Sequence, residues 1–271
     1  MSARLTFLLG RADTGKSAYI VSALKRLQSA GQRAVLLVPE QYTFEAERTL
    51  SSALGGILGV QVLSFQRLNQ RVLTLHGLTK PFLSAQGHRM VIRRAVQLHA
   101  GELTTFQRAA AKPGFAQRMQ EVFSDCKRAG VTPEELSAVI GRLPEHTPLR
   151  DKLTDIALLY RETEAFLQAR YLTIDDAADA ARRLLPESFL KDLPVFIDGI
   201  DRPSGQLYAW MAGLLRCAKS VTVALCIDPG NPPDAAVFEP DLSVYTRLRE
   251  LAESLGCPVE IRYFTEQLDN R

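Results

Sequence analysis

The stretch Leu5-Thr6-Phe7-Leu8-Leu9-Gly10-Arg11-Ala12-Asp13-Thr14-Gly15-Lys16-Ser17 joins a largely apolar run to the pattern G-x-x-x-x-G-K-[ST]. Beyond Ser17, the residues Ile20, Ala23, Leu24 and Leu27 recur at helical spacing. Strand, glycine loop and helix follow one another in the order a phosphate-binding loop requires. In that arrangement the loop N–H groups and the positive end of the helix converge on the β-phosphate. Lys16 reaches the β and γ oxygens, and the Ser17 hydroxyl ligates Mg²⁺. Gly10, Arg11, Ala12, Asp13, Thr14, Gly15, Lys16 and Ser17 are therefore the candidate nucleotide-binding residues, with ATP and Mg²⁺ as the expected ligands. Asp13 stands where many such loops carry a small residue, and its carboxylate repels phosphate unless it points outward. The competing reading is a glycine-rich surface turn that matches by chance.

The chain has 271 residues, 46% hydrophobic and 23% charged, with a formal net charge of +3, values typical of soluble globular proteins. That length supports one large or two modest domains. The small basic excess permits a nucleic-acid partner without requiring one. Cys126, Cys217, Cys226 and Cys257 are far apart and contain no C-x-x-C, so reduced core thiols are expected rather than a zinc site or a disulfide framework. The short N-terminal apolar stretch leads straight into the glycine loop, and no run approaches the ~20 residues of a membrane span. A cytoplasmic protein with no membrane partner is expected.

Gly31 is placed to end the first helix, and Arg33-Ala34-Val35-Leu36-Leu37-Val38 forms a second strand closed by Pro39. Val60-Gln61-Val62-Leu63-Ser64-Phe65 reads as a third. Alternating strands and helices imply a parallel sheet with right-handed crossovers. From Ser84 to about Leu185 the period becomes helical, with one apolar face at Met90, Val91, Ala95 and Leu98 and another at Phe115, Met119, Val122, Phe123 and Cys126. Thr132-Pro133-Glu134-Glu135 is a capping box, and Leu149, Leu153, Ile156, Tyr160 and Leu167 mark a long helix. Strands return at Val195-Phe196-Ile197-Asp198 and Val221 to Asp228, with a helix around Leu207 to Cys217 between them. The expected organisation is one α/β domain, residues 1–80 and 191–271, interrupted by a helical insertion at 81–190.

A phosphate-loop enzyme needs a carboxylate at the end of a neighbouring strand to hold the metal, and usually an acid beside it to orient water. Asp198 fits the first role, as a Walker B carboxylate with Ser17 on Mg²⁺, although a strand-end Asp can instead cap the following turn. Gly199 occupies the second position, and Asp201 is the nearest substitute. If a positioned acid or base contributes about 10²- to 10⁴-fold, its loss leaves a slow or inactive hydrolase. The strand ending at Asp228 carries no glutamine to sense a γ-phosphate.

Taken in order, these motifs resemble one family. Gly10 to Ser17, Leu37-Val38-Pro39-Glu40-Gln41 with Thr43-Phe44, Val62 to Leu68, Pro81 to Ser84, Gly114-Phe115, Lys127-Arg128 and Val195 to Gly199 are similar to the N-terminal region of the AddB (RexB-like) subunits of bacterial ATP-dependent helicase/nucleases. The resemblance implies a superfamily 1, RecA-like sheet (1A) interrupted by a helical subdomain (1B), with a degenerate motor. It implies pairing with an AddA-like motor and nuclease subunit, action on DNA ends in double-strand break repair and recombination, and Chi recognition. The family's nuclease domain and iron–sulfur cluster belong to a C-terminal part of a longer chain, of which these residues are expected to be the N-terminal part. Its DNA-contacting loops correspond to Pro39 to Phe44 and Ser64 to Arg67, giving Gln41, Tyr42, Thr43, Ser64, Arg67 and Arg71 as candidate single-stranded DNA contacts. Tyr42 or Phe44 can stack on a base; Phe44 and Phe65 otherwise belong in the core. Arg93-Arg94 and Arg182-Arg183 read as solvated helix faces. The rival function is a self-contained phosphate-loop kinase or ATPase with a helical lid, and a third is a scaffold that binds no nucleotide.

Overall fold

A computed structural model describes residues 3–78, 80–168, 170–200, 204–228 and 235–265. The chain forms two compact units. The first comprises Met1–Gly77, Ala180–Pro203 and Leu207–Arg271, and the second Leu78–Asp179 with Ser204–Gln206.

In chain order, β1 (Arg4–Gly10), α1 (Lys16–Ser29), β2 (Ala34–Leu37), α2 (Thr43–Leu54), β3 (Val60–Leu63) and α3 (Phe65–Leu75) come first. The helical stretch holds α4 (Ala85–Leu98), α5 (Phe115–Ala129), α6 (Pro133–Ile140), α7 (Pro148–Gln168) and α8 (Ile174–Leu184). Then follow β4 (Pro194–Asp198), α9 (Gly205–Cys217), β5 (Ser220–Cys226), α10 (Ala235–Ser254) and β6 (Val259–Phe264). The six strands form one sheet in the order β3-β2-β4-β5-β1-β6, with every pairing parallel. This is a RecA-like parallel sheet with a helical insertion, and β1 and β4 share it, joined through β5.

Parallel strands covered on both faces need near-continuous apolar runs, and β1 and β2 supply them. Leu8, Ile20, Leu24, Leu36, Leu50 and Phe196 pack into one buried cluster between β-strands and helices. Gly31 lies just past α1 at φ +66°, a left-handed conformation that glycine adopts without strain. The third strand stops at Leu63 rather than Phe65, because the Ser64 hydroxyl accepts the Arg67 N–H at 3.2 Å and starts α3. The strand β6 has no counterpart in the sequence reading. It is an edge strand in which apolar Val259, Ile261 and Tyr263 alternate with charged residues, too weak a pattern to stand out beside the buried runs.

In the helical unit, Phe115, Met119, Phe123, Ile156 and Tyr160 form a second core. The Thr132 capping box is present in both directions, with Glu135 N–H on the Thr132 hydroxyl at 3.2 Å and the Thr132 N–H on the Glu135 carboxylate at 2.9 Å. The face expected for α4 is rotated. Met90 and Leu98 are each 66% exposed, while Ile92, Ala95 and Val96 are buried, because packing against α5 and α7 selects between two apolar stripes on this helix. Buried Asp155 accepts the N–H groups of Thr104, Thr105 and Phe106 at 3.1, 2.9 and 2.8 Å and so fixes a segment before α5.

Buried His88 of α4 has no partner on Nε2, and its Nδ1 lies 3.4 Å from the Gln120 amide nitrogen. Burial, then the charge of Lys127, lowers its pKa from 6.5 to about 4 against the opposing pull of Asp176. The unfolded chain therefore binds a proton near pH 6.5 that the folded chain refuses until about pH 4. Stability attributable to His88 is present above pH 6.5 and lost as the pH falls through this window, by about 2 kcal/mol after allowing for solvent screening. Glu164, whose carboxyl burial raises, titrates in the opposite sense. Urea midpoints of the chain and of His88→Gln at pH 7.5 and 4.5 isolate the histidine: the variant is expected to lose the smaller amount on acidification.

Candidate functional site: a glycine loop and its neighbouring strand ends

The loop begins where β1 ends between β5 and β6. Gly10 sits so close to Phe264 and to the Thr14 hydroxyl that an added Cβ would lie 2.6 Å from Thr14 Oγ1 and 2.9 Å from Phe264 Cβ. Asp13 at φ +59° and Gly15 at φ +94° both take left-handed backbone, which turns the chain into the start of α1. Gly15 is the N-cap, without a side-chain cap, and no acid lies in the first turn of α1, so its terminal N–H groups remain available to an anion. The Thr14 hydroxyl donates to the Arg11 carbonyl at 2.8 Å. Lys16 is 7% exposed, and its ammonium donates to the Gly10 and Arg11 carbonyls at 2.8 and 2.5 Å, arching over the loop. The Asp13 side chain is exposed to solvent.

Sequence reasoning missed what holds the first loop residue. The Arg11 guanidinium Nε lies 2.6 Å from the Asp228 carboxylate, just past β5, and its plane rests over the Phe238 ring at 5.9 Å. The available signal was the opposite charges at the ends of β1 and β5, which becomes legible only once the two strands are known to be neighbours. Asp201 lies outside the described residues.

Ser17 and Asp198 line one cavity of about 370 Å³, walled by Ile20 and Val21 of α1, by Leu36 and Val38 and by α2. A hydroxyl and a carboxylate are hard oxygen donors suited to Mg²⁺, which keeps several waters and substrate phosphates among its ligands. The residues therefore fit a hydrated magnesium ion carried in with a nucleotide. Among the described residues no group of three or more His, Cys, Asp or Glu side chains could hold a metal by itself. The four free cysteines do not fit an iron–sulfur cluster here. Gly199 follows Asp198 at φ +89°, and a Cβ there would come within 3.3 Å of Pro39 Cδ. A glutamate at this position would be strained in the backbone and crowded, which is a structural reason for the missing acid.

The candidate DNA residues divide into two groups. Glu40, which the sequence reading did not single out, joins the first set: its carboxylate accepts the Ser64 hydroxyl and the Arg67 Nε, the latter at 3.1 Å. Its backbone carbonyl accepts the hydroxyl of buried Thr43 at 2.9 Å. Gln41 and Tyr42, in a 3-10 turn at Glu40–Tyr42, thus stand beside Ser64 and Arg67. Arg71, one turn beyond Arg67 on α3, stacks over Phe189 at 5.3 Å and lines a cleft with Phe44 and Leu63. Phe44 is 75% exposed, contrary to the core placement, and Tyr42 is 53% exposed. Phe65 is half-buried and meets Trp210 edge-to-face at 6.2 Å.

The family described as ADDB, N-terminal, matches the chain over residues 7–271. This chain belongs to that family. Among its relatives, the ATP-dependent helicase/deoxyribonuclease B subunit of Moorella thermoacetica is 36% identical over 271 residues, covering 94% of this chain and 24% of the relative. The protein of the same name from Geobacillus kaustophilus is 37% identical, covering 94% and 23%, and that from Staphylococcus aureus strain MRSA252 is 34% identical, covering 95% and 23%. The chain thus spans about a quarter of the length of these curated relatives. No described helix of this ADDB N-terminal chain is long and apolar enough to cross a membrane.

Proposed function

We propose that this chain is the helicase-like, ATP-binding N-terminal part of an AddB-type subunit, which pairs with an AddA-like motor and nuclease subunit and processes DNA ends during double-strand break repair and recombination. In this reading Gly10 to Ser17 hold the phosphates, Ser17 and Asp198 hold Mg²⁺, and the surface of exposed Gln41, Tyr42, Arg67 and Arg71, backed by buried Thr43 and Ser64, meets the single strand that carries Chi. The observation that carries the nucleotide part is the cavity that brings Ser17 and Asp198 together beside the Lys16-closed loop. Bound Mg²⁺ would screen the phosphate charge. Lys16 would exchange its two carbonyl contacts for phosphate oxygens, and the open first turn of α1 would donate N–H groups. With Gly199 beside Asp198, no adjacent acid orients an attacking water, so the site binds nucleotide and responds to it rather than driving translocation.

Mg-ATP binding by calorimetry, with ADP release followed in the same sample, tests this. The chain is expected to bind, and Lys16→Ala to bind about ten- to a hundred-fold more weakly, equal to the roughly 1.5–3 kcal/mol of a charge-assisted hydrogen bond. Binding that ignores Lys16 would end the nucleotide reading, and rapid turnover would favour a working kinase or ATPase. The DNA role fails if the full-length protein with its AddA-like partner binds duplex ends no better than the partner alone.

A further inference from the structure

One side of α4 carries Gln86, Arg89, Met90 and Arg93, spaced three, four and seven residues apart, and faces the start of α5 from Gly114 to Gln117 across a cleft of about 480 Å³. Among the described residues no carboxylate lines it. Among them, too, neither Arg89 nor Arg93 has an acidic partner, whereas Arg118, Arg128 and Arg150 of the same unit each reach one. The adjacent Arg94 stacks on Phe166 at 4.7 Å, so the pair Arg93-Arg94, expected to be a uniformly solvated face, divides into a stacked arginine and one that opens into the cleft. Two unneutralised guanidinium groups four residues apart in a concave wall create a local positive potential that a chain of phosphates relieves. The opposite wall adds to it: α5 has Gly114 as its N-cap, has no side-chain cap and carries no acid in its first turn. The exposed Met90 and the amides of Gln86 and Gln117 supply neutral surface for sugar and base.

We propose that this cleft holds the phosphodiester backbone of a DNA strand, giving the helical unit a nucleic-acid contact of its own. The inference rests on the reading of the chain as part of a DNA-processing subunit. Arg93 is exposed and Arg89 half-exposed, so the contact is salt-sensitive and blind to sequence.

Anisotropy titrations of a labelled single strand with the full 271-residue chain, from 50 to 300 mM salt, test it. Arg89→Gln with Arg93→Gln is expected to weaken binding roughly ten- to thirty-fold at low salt and to flatten the slope of log K against log salt by about 1.4, the share of two phosphate contacts on single-stranded DNA. Arg89→Lys with Arg93→Lys should keep most of that slope. Arg118→Gln with Arg150→Gln removes the same net charge elsewhere on the unit and should change little. Equal losses in the two glutamine pairs, or displacement of the strand by millimolar inorganic phosphate, would overturn the proposal. If the glutamine pair in the cleft binds like the unaltered chain while Arg67→Gln weakens binding, the DNA reading stands and this cleft is excluded. If the unaltered chain binds no strand at all, both fall.

Discussion

Lys127→Met is expected to destabilise the chain by about 3–5 kcal/mol at pH 7.5, the range seen when one member of a buried ion pair is removed. Lys127, in the last turn of α5, is nearly buried; its ammonium lies 2.8 Å from the Glu164 carboxylate and 2.7 Å from that of Asp176. Asp176 in turn accepts the Thr173 N–H and hydroxyl at 3.2 and 2.6 Å, so the lysine also steadies the start of α8. Burial raises the Glu164 carboxyl, and Lys127 offsets this only in part. Burial acts on Asp176 as well, but there the lysine's charge and hydrogen bond prevail and hold the carboxyl below its usual value. Without the lysine two carboxylates remain in poor solvent, and Glu164, which has one oxygen without a partner already, takes up a proton first. The loss should therefore shrink as the pH is lowered towards 5, and adding Glu164→Leu to the variant should recover part of it. Urea denaturation read at both pH values checks this; a midpoint shift worth less than about 1 kcal/mol at pH 7.5 would show that the ammonium holds nothing together.

Gly10→Ala is expected to act on both stability and ligand. The new methyl would press into the Phe264 backbone carbonyl and sit 2.6 Å from Thr14 Oγ1, and β6 and the loop cannot both keep their places. Overpacking of this kind costs about 1–3 kcal/mol, and the upper end applies because backbone rather than a flexible tip is struck. Displacing Thr14 breaks its bond to the Arg11 carbonyl, one of the two carbonyls that seat Lys16. Mg-ATP affinity should fall by roughly a hundred-fold, at least matching Lys16→Ala. Calorimetry and thermal melting of the same preparation separate the two effects. A variant that melts normally and binds ATP normally would mean that the close approach of β6 has no role in shaping the loop.

The loop, the strands β1 and β4 and the capping box at Thr132 were legible because each is written locally, in glycines, apolar runs and a four-residue signature. The less local the cause, the less was visible. Arg11 meets Asp228 only because β5 is laid beside β1, and Glu40 meets Ser64 and Arg67 only because β2 and β3 end together. Met90 and Leu98 show the same limit within one helix: periodicity gives an apolar stripe, but neighbouring helices decide which stripe is covered. Phe44 fails in the same direction, an aromatic residue expected in the core that α2 carries outward. Gly199 was read as a missing acid, and the backbone supplies the reason, φ +89° against Pro39, which no composition argument contains.

The position of β5 between β1 and β4 has an electrostatic consequence. It holds the Lys16 loop and Asp198 two strand spacings apart, roughly 9–10 Å across the end of the sheet. Lys16 and Asp198 form no ion pair with each other. Lys16 rests on the uncharged carbonyls of Gly10 and Arg11 instead, while the carboxylate at the end of β5 is matched by Arg11. The sheet order thus works as a spacer that sets the Arg11–Asp228 pair at the end of β5 between the Lys16 loop and the end of β4.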